Sequence, residues 1–208
     1  MCQVIKLLNF EVEYFKIRKD IKLIKESNLK TEFEIRFLEI NEKEILEKLK
    51  DLNASEIGNW LQVRKTYDLV NPQKNSWVRL RTNGQKTTLT IKEILTNKVD
   101  GTKELEIEVS DFSETDAILN KIGLTSRNFQ ENKRRQFKYK NVEIDIDTWP
   151  LIPTYLEIEG ENEESIKKAC IDLGLNYDNS TTMDVTDIYK NVYDIDILKI
   201  KNLTFSES

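Results

Sequence analysis

Charged and apolar residues alternate along a short stretch near residue 35. The segment TEFEIRF places Glu32, Glu34 and Arg36 on one face of a strand and apolar side chains on the other. Carboxylate oxygens are the ligands that hard divalent cations prefer, and guanidinium groups bind phosphate oxygens in a forked geometry. The chemistry available to this face is therefore the binding of a metal-complexed phosphate. A single strand of this kind is also typical of an ordinary solvent-facing sheet.

The alternation recurs in later segments, and the charges are sorted by sign. Acidic doublets or triplets occur at Glu104, Glu106 and Glu108, at Asp145 and Asp147, and at Glu157 and Glu159. Basic residues occur at Arg79 and Arg81, at Lys92 after Thr88 and Thr90, and at Lys133 and Arg135 in a less regular strand. Like charges two positions apart on a strand, about 6.6 Å, repel by roughly 2.5 kcal/mol at an effective dielectric near 20. Such sorting favours a face on which a cation neutralises the acids and an anion neutralises the bases.

The composition excludes several classes of site. The chain has no histidine, which removes His-dependent catalytic triads and His-ligated zinc. Its two cysteines, Cys2 and Cys170, are too far apart in sequence to suggest a thiolate metal site or a disulfide framework. Neither GxxxxGK nor GxGxxG occurs, so no glycine-rich phosphate loop is predicted. A carboxylate-held Mg²⁺ or Mn²⁺ is the metal expected.

Length and charge place the chain among soluble globular proteins. It has 208 residues, of which 38% are apolar and 33% charged, with a net charge of −5. No apolar run approaches the roughly 18 residues that a membrane helix needs. The first residues lack the order of a secretion signal, so a cytoplasmic protein is expected. The negative net charge argues against sequence-specific nucleic-acid binding.

The hydrophobic pattern predicts about eight strands and three helices, an α+β fold. The strands are expected in TEFEIRFLEI, KTYDLV, SWVRLRTNG, KTTLTIKEIL, TKELEIEVS, NFQENKRRQFKYK, VEIDIDTWP and TYLEIEG, with a turn at NPQKN. The helices are expected in NEKEILEKLKDLN with Asn41 as cap, in SETDAILNKIG with Ser113 as cap and Gly123 as stop, and in NEESIKKACIDLG. An eight-stranded sheet can close into a barrel, and charged residues inside would require helices outside. The pattern thus allows a closed eight-stranded antiparallel β-barrel with helices packed on its outside, as well as an open sheet whose charged face lies in water.

Three regions are expected along the chain. Residues 1–30 form an N-terminal extension to which no chemistry is assigned. Residues 31–178, or to about 195 with the tail, form a single tunnel domain, and residues 196–208 form a C-terminal tail.

The order of these motifs resembles that of the CYTH family of triphosphate tunnel enzymes. EFEIR is similar to the family's Glu-x-Glu-x-Lys strand, with Arg36 in place of the lysine. WVRLR, LTIK, ELEIEV, NKRR, EIDID and YLEIEG resemble the family's later strands in the same order. The match extends from Glu32 to about Leu175, and the sequence as a whole most resembles class IV adenylyl cyclase-like proteins.

The resemblance implies that the eight antiparallel strands close into a barrel around a tunnel, and it implies a role for each group of charged residues. It implies that a divalent metal is held by Glu32, Glu34, Glu157 and Glu159, with Glu104 and Glu106 as further candidates. It implies that a triphosphate is gripped by Arg36, Arg79, Arg81, Lys92, Lys133 and Arg135. It implies that Asp145 or Asp147 helps to place a second metal or the nucleophile, and that Arg36 also takes part in catalysis. For eight further residues the sequence does not decide between a role in the site and a place on the surface or in the core. They are Glu108, Glu143, Arg134, Arg64, Lys65, Trp77, Trp149 and Tyr155.

Two reactions fit such a tunnel. The implied function is conversion of ATP to cyclic AMP and pyrophosphate, in which the ribose 3′-oxygen attacks the α-phosphorus. The alternative is hydrolysis of inorganic, nucleoside or thiamine triphosphate by water. A non-catalytic polyphosphate-binding module is a third reading, which the intact run of acidic residues disfavours. ATP or another triphosphate is the expected partner, and a homodimer is expected because family members often dimerise.

Overall fold

The strands form one sheet in the computed structural model, which describes residues 29–69 and 75–206. The strands are β1 Lys30–Phe37, β2 Ser55–Tyr67, β3 Ser76–Thr82, β4 Thr87–Ile94, β5 Thr102–Val109, β6 Ser126–Tyr139, β7 Val142–Thr148, β8 Tyr155–Gly160 and β9 Asn202–Leu203. Turn residues join several of them directly, as at Gly84, whose φ of 84° suits the tight β3–β4 hairpin. Residues 1–28 of the predicted extension lie outside the described residues, and so do residues 71–74 of the predicted NPQKN turn.

The sheet closes on itself. The strand order is β2-β3-β4-β5-β1-β8-β7-β6-β9, and β2 also pairs with β6. The closing pair is long and antiparallel, with Arg64 opposite Gln130 and Gln62 opposite Asn132. β9 adds to β6 in parallel. Strands β1 to β8 therefore form the closed antiparallel barrel that the family resemblance implies.

Within the described residues, four α-helices pack outside the strands. They are α1 Glu42–Asp51, α2 Phe112–Lys121, α3 Glu163–Asp172 and α4 Val185–Tyr193. The side chain of Asn41 caps α1, as predicted, by accepting a hydrogen bond from the backbone of Glu44. Among the described residues, no helix is both long and apolar enough to span a bilayer.

The main core lies between one side of the barrel and helices α1 and α3. The outward residues Ile35, Leu156 and Ile158 are at most 1% exposed and pack against Leu49 and Ile166 of the two helices. Burying each such side chain contributes about 1.5–3 kcal/mol. Because alternate residues of a strand point to opposite faces, this outer core forces the intervening charged residues of β1 and β8 inward.

Two smaller cores cover the rest of the barrel. Tyr67, Val78 and Leu80 of β2 and β3 pack with Leu119 of α2. A third cluster joins Trp149 and Ile152 after β7, Tyr155 of β8, Ile188 and Tyr189 of α4, and Ile197 and Leu203 of the tail. Residues beyond 196 thus pack against the barrel, through a short 3-10 turn at Ile197–Lys199 and through β9.

Three elements differ from the sequence prediction. β2 begins at Ser55, although only its last part was predicted as a strand, because its early apolar residues Ile57 and Leu61 are about half exposed and give no core signal. The cap of α2 is Asp111, whose carboxylate accepts from the backbone N–H of Glu114 at 2.7 Å, so the assignment to Ser113 was wrong. Helix α4 was not predicted.

Candidate active site

The inward faces of the strands enclose a chamber of about 250 Å³. We call this cavity the chamber. It is lined by acidic residues Glu32, Glu34, Glu104, Glu106, Glu143, Asp145, Glu157 and Glu159, by basic residues Arg36, Arg64, Arg79, Arg81, Lys92 and Arg134, and by Gln136, Trp149, Tyr155 and Val185. Ion pairs between these side chains fill the interior of the barrel in place of an apolar core.

Arg36 lies where β1 meets β8. Its Nη2 is 2.8 Å from a carboxylate oxygen of Glu34 and 2.6 Å from one of Glu157, the residue opposite it in register. Its Nη1 donates to the backbone carbonyl of Met183 at 2.9 Å. Although burial opposes it, Arg36 together with Arg134 holds the pKa of Glu157 below its usual value. Arg36 is therefore fixed in place by two carboxylates and a carbonyl.

A group of carboxylates crowds the space between β1, β5 and β8. Lys92 bridges Glu32 at 2.8 Å and Glu104 at 3.5 Å. Burial and the neighbouring Glu104 raise the pKa of Glu32, against the pull of Lys92. Glu159 is exposed at the edge of the chamber, where desolvation by nearby protein atoms and the charges of Glu32, Glu157 and Glu34 raise its pKa to about 8. These acids repel one another, which favours binding of a cation among them.

The guanidinium groups of β3 are held only loosely. Arg79 and Arg81 lie 3.5 Å and 3.7 Å from the same oxygen of Glu106, which also accepts from the hydroxyl of Thr90 at 2.7 Å. Burial, Arg79 and Arg134 together lower the pKa of Arg81 to about 10. Arg79 and Arg81 can therefore bind an anion in addition to their contacts with Glu106.

Arg134 of β6 is the centre of a second ion-pair group. Its guanidinium lies 2.5 Å from Asp145, 2.5 Å from Asp147 and 3.0 Å from Glu157. Burial, opposed by Arg134 and reinforced by Asp147 and Glu157, raises the pKa of Asp145 to about 7. Asp147 is fully buried and accepts a further hydrogen bond from Asn132 at 3.0 Å.

Two residues predicted to grip phosphate do not reach the chamber. Arg135 points outward, pairs with Glu56 at 2.8 Å and retains 33% exposure of its side chain. Lys133 lies over the ring of Phe205, 4.8 Å from its centroid. The predicted phase of β6 was wrong by one residue, because three consecutive basic residues follow Asn132 and conceal the alternation. The inward positions are Asn132, Arg134 and Gln136.

Arg64 of β2 is a chamber residue that the sequence left undecided. It is 6% exposed, its Nη2 donates to Gln62 at 3.1 Å and to Asn132, and its guanidinium stacks 4.5 Å from the centroid of Trp149. Lys65, the next residue, faces outward and pairs with Asp116. The sequence signal for Arg64 is the alternation at the end of β2, in which Arg64 points inward and its neighbours Val63 and Lys65 point outward.

A wider cavity of about 480 Å³ adjoins the chamber. Seven residues line both cavities: Glu34, Arg36, Arg64, Arg79, Lys92, Trp149 and Val185. We call the wider cavity the vestibule. Part of its lining is apolar and comes from Trp77, Ile94, Val185, Ile197 and Leu198. The two cavities together can hold a charged group and an uncharged group of one molecule.

Comparison with known proteins identifies the architecture. The family model described as the CYTH domain matches residues 30–182. The chain belongs to the CYTH domain family. No curated protein matches the chain.

Solved CYTH-like structures cover most of the chain. The PH1012 protein of Pyrococcus horikoshii OT3 is 26% identical, with a TM-score of 0.63 over 74% of this chain and 96% of that one. A candidate adenylate cyclase from Vibrio parahaemolyticus is 13% identical, with a TM-score of 0.64 over 80% and 99%. A candidate adenylyl cyclase from Hippeastrum, described as having a dominant triphosphatase activity, is 14% identical, with a TM-score of 0.52 over 81% and 99%. At these last two identities the likeness establishes the fold alone.

The carboxylates of this CYTH barrel suit a hard divalent cation, since each offers oxygen ligands. Burial, together with the charges of neighbouring carboxylates, raises the pKa values of Glu32 and Glu159. Over residues 29–69 and 75–206, however, no three such side chains form a preassembled metal site. The reason is that Glu32, Glu34 and Glu157 are each paired with a basic side chain. Binding of a metal would require these ion pairs to rearrange.

Several buried polar atoms of the chamber lack a partner within the described residues. Donors without an acceptor are Nε of Arg36, Arg64 and Arg79, Nε1 of Trp149 and the hydroxyl of Tyr155. A carboxylate oxygen of Asp145 is also without a hydrogen bond. Unsatisfied buried donors cost about 1–3 kcal/mol each, so their convergence indicates a ligand rich in oxygen acceptors.

Proposed function

We propose that the protein is a divalent-metal-dependent enzyme that acts on a triphosphate held in the chamber. The observation that supports this most strongly is the enclosure of eight acidic and six basic side chains in one chamber, where, among the described residues, Nε of Arg36, Arg64 and Arg79 has no acceptor. Carboxylates suit Mg²⁺ or Mn²⁺, and guanidinium groups suit phosphate oxygens. A metal-complexed triphosphate carries both charges that this interior needs.

Each wall receives a role in this proposal. Glu32, Glu34, Glu157 and Glu159 hold the metal, and Glu104 and Glu106 adjoin them. Arg36, Arg79, Arg81, Lys92 and Arg134 bind the phosphates; Arg134 replaces Lys133 and Arg135, which face outward. When bound, the cation would neutralise phosphate charge and so lower the barrier to attack at phosphorus.

Asp145 is the residue best suited to move a proton. One of its oxygens pairs with Arg134, the other is buried without a partner, and its pKa is raised to about 7 by burial and neighbouring carboxylates. A base is most effective when its pKa lies near the working pH. Asp145 would accept the proton of the attacking hydroxyl or water, while Asp147 helps to hold Arg134.

Of the two reactions that this site can support, we favour conversion of ATP to cyclic AMP and pyrophosphate. The vestibule is the supporting feature, since its apolar lining beside the charged chamber offers space for a nucleoside. Hydrolysis of a triphosphate is the second candidate, because the chamber alone contains every charged group that a triphosphate needs. Both activities are named for proteins of this fold.

The test is product identification. The purified protein is incubated with ATP, and separately with inorganic triphosphate, in Mg²⁺ and in Mn²⁺. Cyclic AMP with pyrophosphate selects the cyclase, and orthophosphate without cyclic nucleotide selects the triphosphatase. Binding of either compound without turnover in both metals would overturn the proposal of an enzyme.

A further inference from the structure

Arg64 differs from the other basic residues of the chamber in its partners. Arg36, Arg79, Arg81, Lys92 and Arg134 each lie within 4.0 Å of at least one carboxylate. Within residues 29–69 and 75–206, no carboxylate forms an ion pair with Arg64. Its only link to one passes through the amide of Asn132, which accepts from Arg64 and donates to Asp147. Arg64 is a buried cation held by neutral groups.

The surroundings of Arg64 increase the need for an anion. Burial, and then the positive charges of Arg81, Arg79 and Arg134, lower its pKa well below the usual value. A guanidinium group does not lose its proton in a protein, so this shift expresses an unfavourable energy of the charged form. Four guanidinium groups therefore act on one another here, and only three of them have carboxylate partners.

The orientation of Arg64 is fixed before any ligand arrives. Gln62 and Asn132 take hydrogen bonds from Nη2, and the ring of Trp149 supports the guanidinium plane. Nε is buried and has no partner among the described residues. Because Arg64 lines both the chamber and the vestibule, the residue lies where the two cavities meet.

We infer that Arg64 is a substrate-binding residue contributed by β2, which receives the phosphate group that lies at the junction of chamber and vestibule. This inference rests on the proposed function and adds a residue to it. Strands β2 and β6 pair, and each contributes one inward cation. Arg134 is the cation of β6, and Arg64 is that of β2, beside the neutral Asn132 of β6. The group recognised is a phosphate within a polyphosphate or its ester.

The test combines binding with stability of the ligand-free protein. Inorganic triphosphate is titrated calorimetrically into wild type and into Arg64→Met, Arg79→Met and Arg135→Met. Arg64→Met is expected to weaken binding by about ten-fold or more, as the loss of a hydrogen bond to a charged group does. Arg135→Met, which removes an outward arginine, is expected to bind as wild type does.

Chemical denaturation without ligand supplies the second readout. Arg64→Met leaves the amide oxygens of Gln62 and Asn132 without this donor, whereas Arg134→Met leaves three carboxylates without their shared cation. The denaturation midpoint of Arg64→Met should therefore fall less than that of Arg134→Met. A fall in the midpoint of Arg64→Met as large as that of Arg134→Met would instead assign Arg64 a structural role and overturn the inference.

The outcomes separate this inference from the proposed function. If Arg79→Met loses triphosphate binding while Arg64→Met keeps it, Arg64 is not a ligand and the proposed function stands. If wild type itself fails to bind triphosphate, both fall together.

Discussion

Replacement of Arg134 by methionine should destabilise the protein far more than the same change at its neighbour Arg135. Arg134 is buried and neutralises Asp145, Asp147 and Glu157 at 2.5–3.0 Å. Methionine keeps much of the side-chain volume but leaves these carboxylates without their shared cation. Removal of one partner from a buried ion pair costs about 3–5 kcal/mol. That is a large part of the 5–15 kcal/mol that is typical of a folded domain.

Arg135→Met is the matched control on the same strand. Its ion pair with Glu56 joins side chains that are 33% and 41% exposed, so solvent screens the interaction. Exposed pairs contribute about 0–1 kcal/mol. The measurement is urea denaturation of both variants and wild type at neutral pH, in EDTA so that no bound metal contributes.

The difference between Arg134→Met and wild type should also depend on pH. The pKa of Glu157 in the folded wild type lies below its usual 4.5. Its contribution to stability is therefore present above pH 4.5 and is lost as the pH falls towards its folded value. In the variant, Arg36 still pairs with Glu157 at 2.6 Å, so this contribution is reduced, and the gap should narrow as the pH falls below 4.5. Equal free energies of unfolding for Arg134→Met and Arg135→Met would refute the inward placement of Arg134.

Two further predictions concern single side chains. The folded pKa of Asp145 is raised to about 7, so its contribution to stability is full below pH 3.8 and is lost as the pH rises through 7. Asp145→Asn, measured by denaturation in EDTA, should therefore flatten the fall in unfolding free energy between pH 5 and 8. An unchanged slope would disprove the assignment. Asp111→Ala should lower the unfolding free energy by about 1 kcal/mol through loss of the α2 cap, whereas Ser113→Ala should be nearly neutral. The reverse order would restore Ser113 as the cap.

The features of the barrel that depend on alternation could be predicted from the sequence. In β1, β3 and β8, charged residues alternate with mostly apolar ones, so the inner face is determined once the outer face is known to be buried. The sorting of acids and bases then placed Glu32, Glu34 and Arg79 inside, and the structure brings them to one chamber.

The remaining features depend on contacts between distant residues. β6 carries Lys133, Arg134 and Arg135 in succession, so its pattern does not distinguish the inner from the outer face. Arg64 is followed by another cation, Lys65, and its burial depends on Asn132, 68 positions away, and on Trp149. Position along the chain does not reveal which of two adjacent charges a barrel will enclose.

The central claim is that the chamber performs metal-dependent chemistry on a triphosphate, and Glu34→Gln tests it most directly. Glu34 lies in the chamber beside Arg36, whereas Glu108 is 66% exposed and pairs with Lys86. The measurement is the Mg²⁺-dependent rate of product release from ATP or inorganic triphosphate in wild type, Glu34→Gln and Glu108→Gln. The account predicts that Glu34→Gln abolishes turnover while Glu108→Gln keeps most of it. Full activity in folded Glu34→Gln would contradict the assignment of the active site.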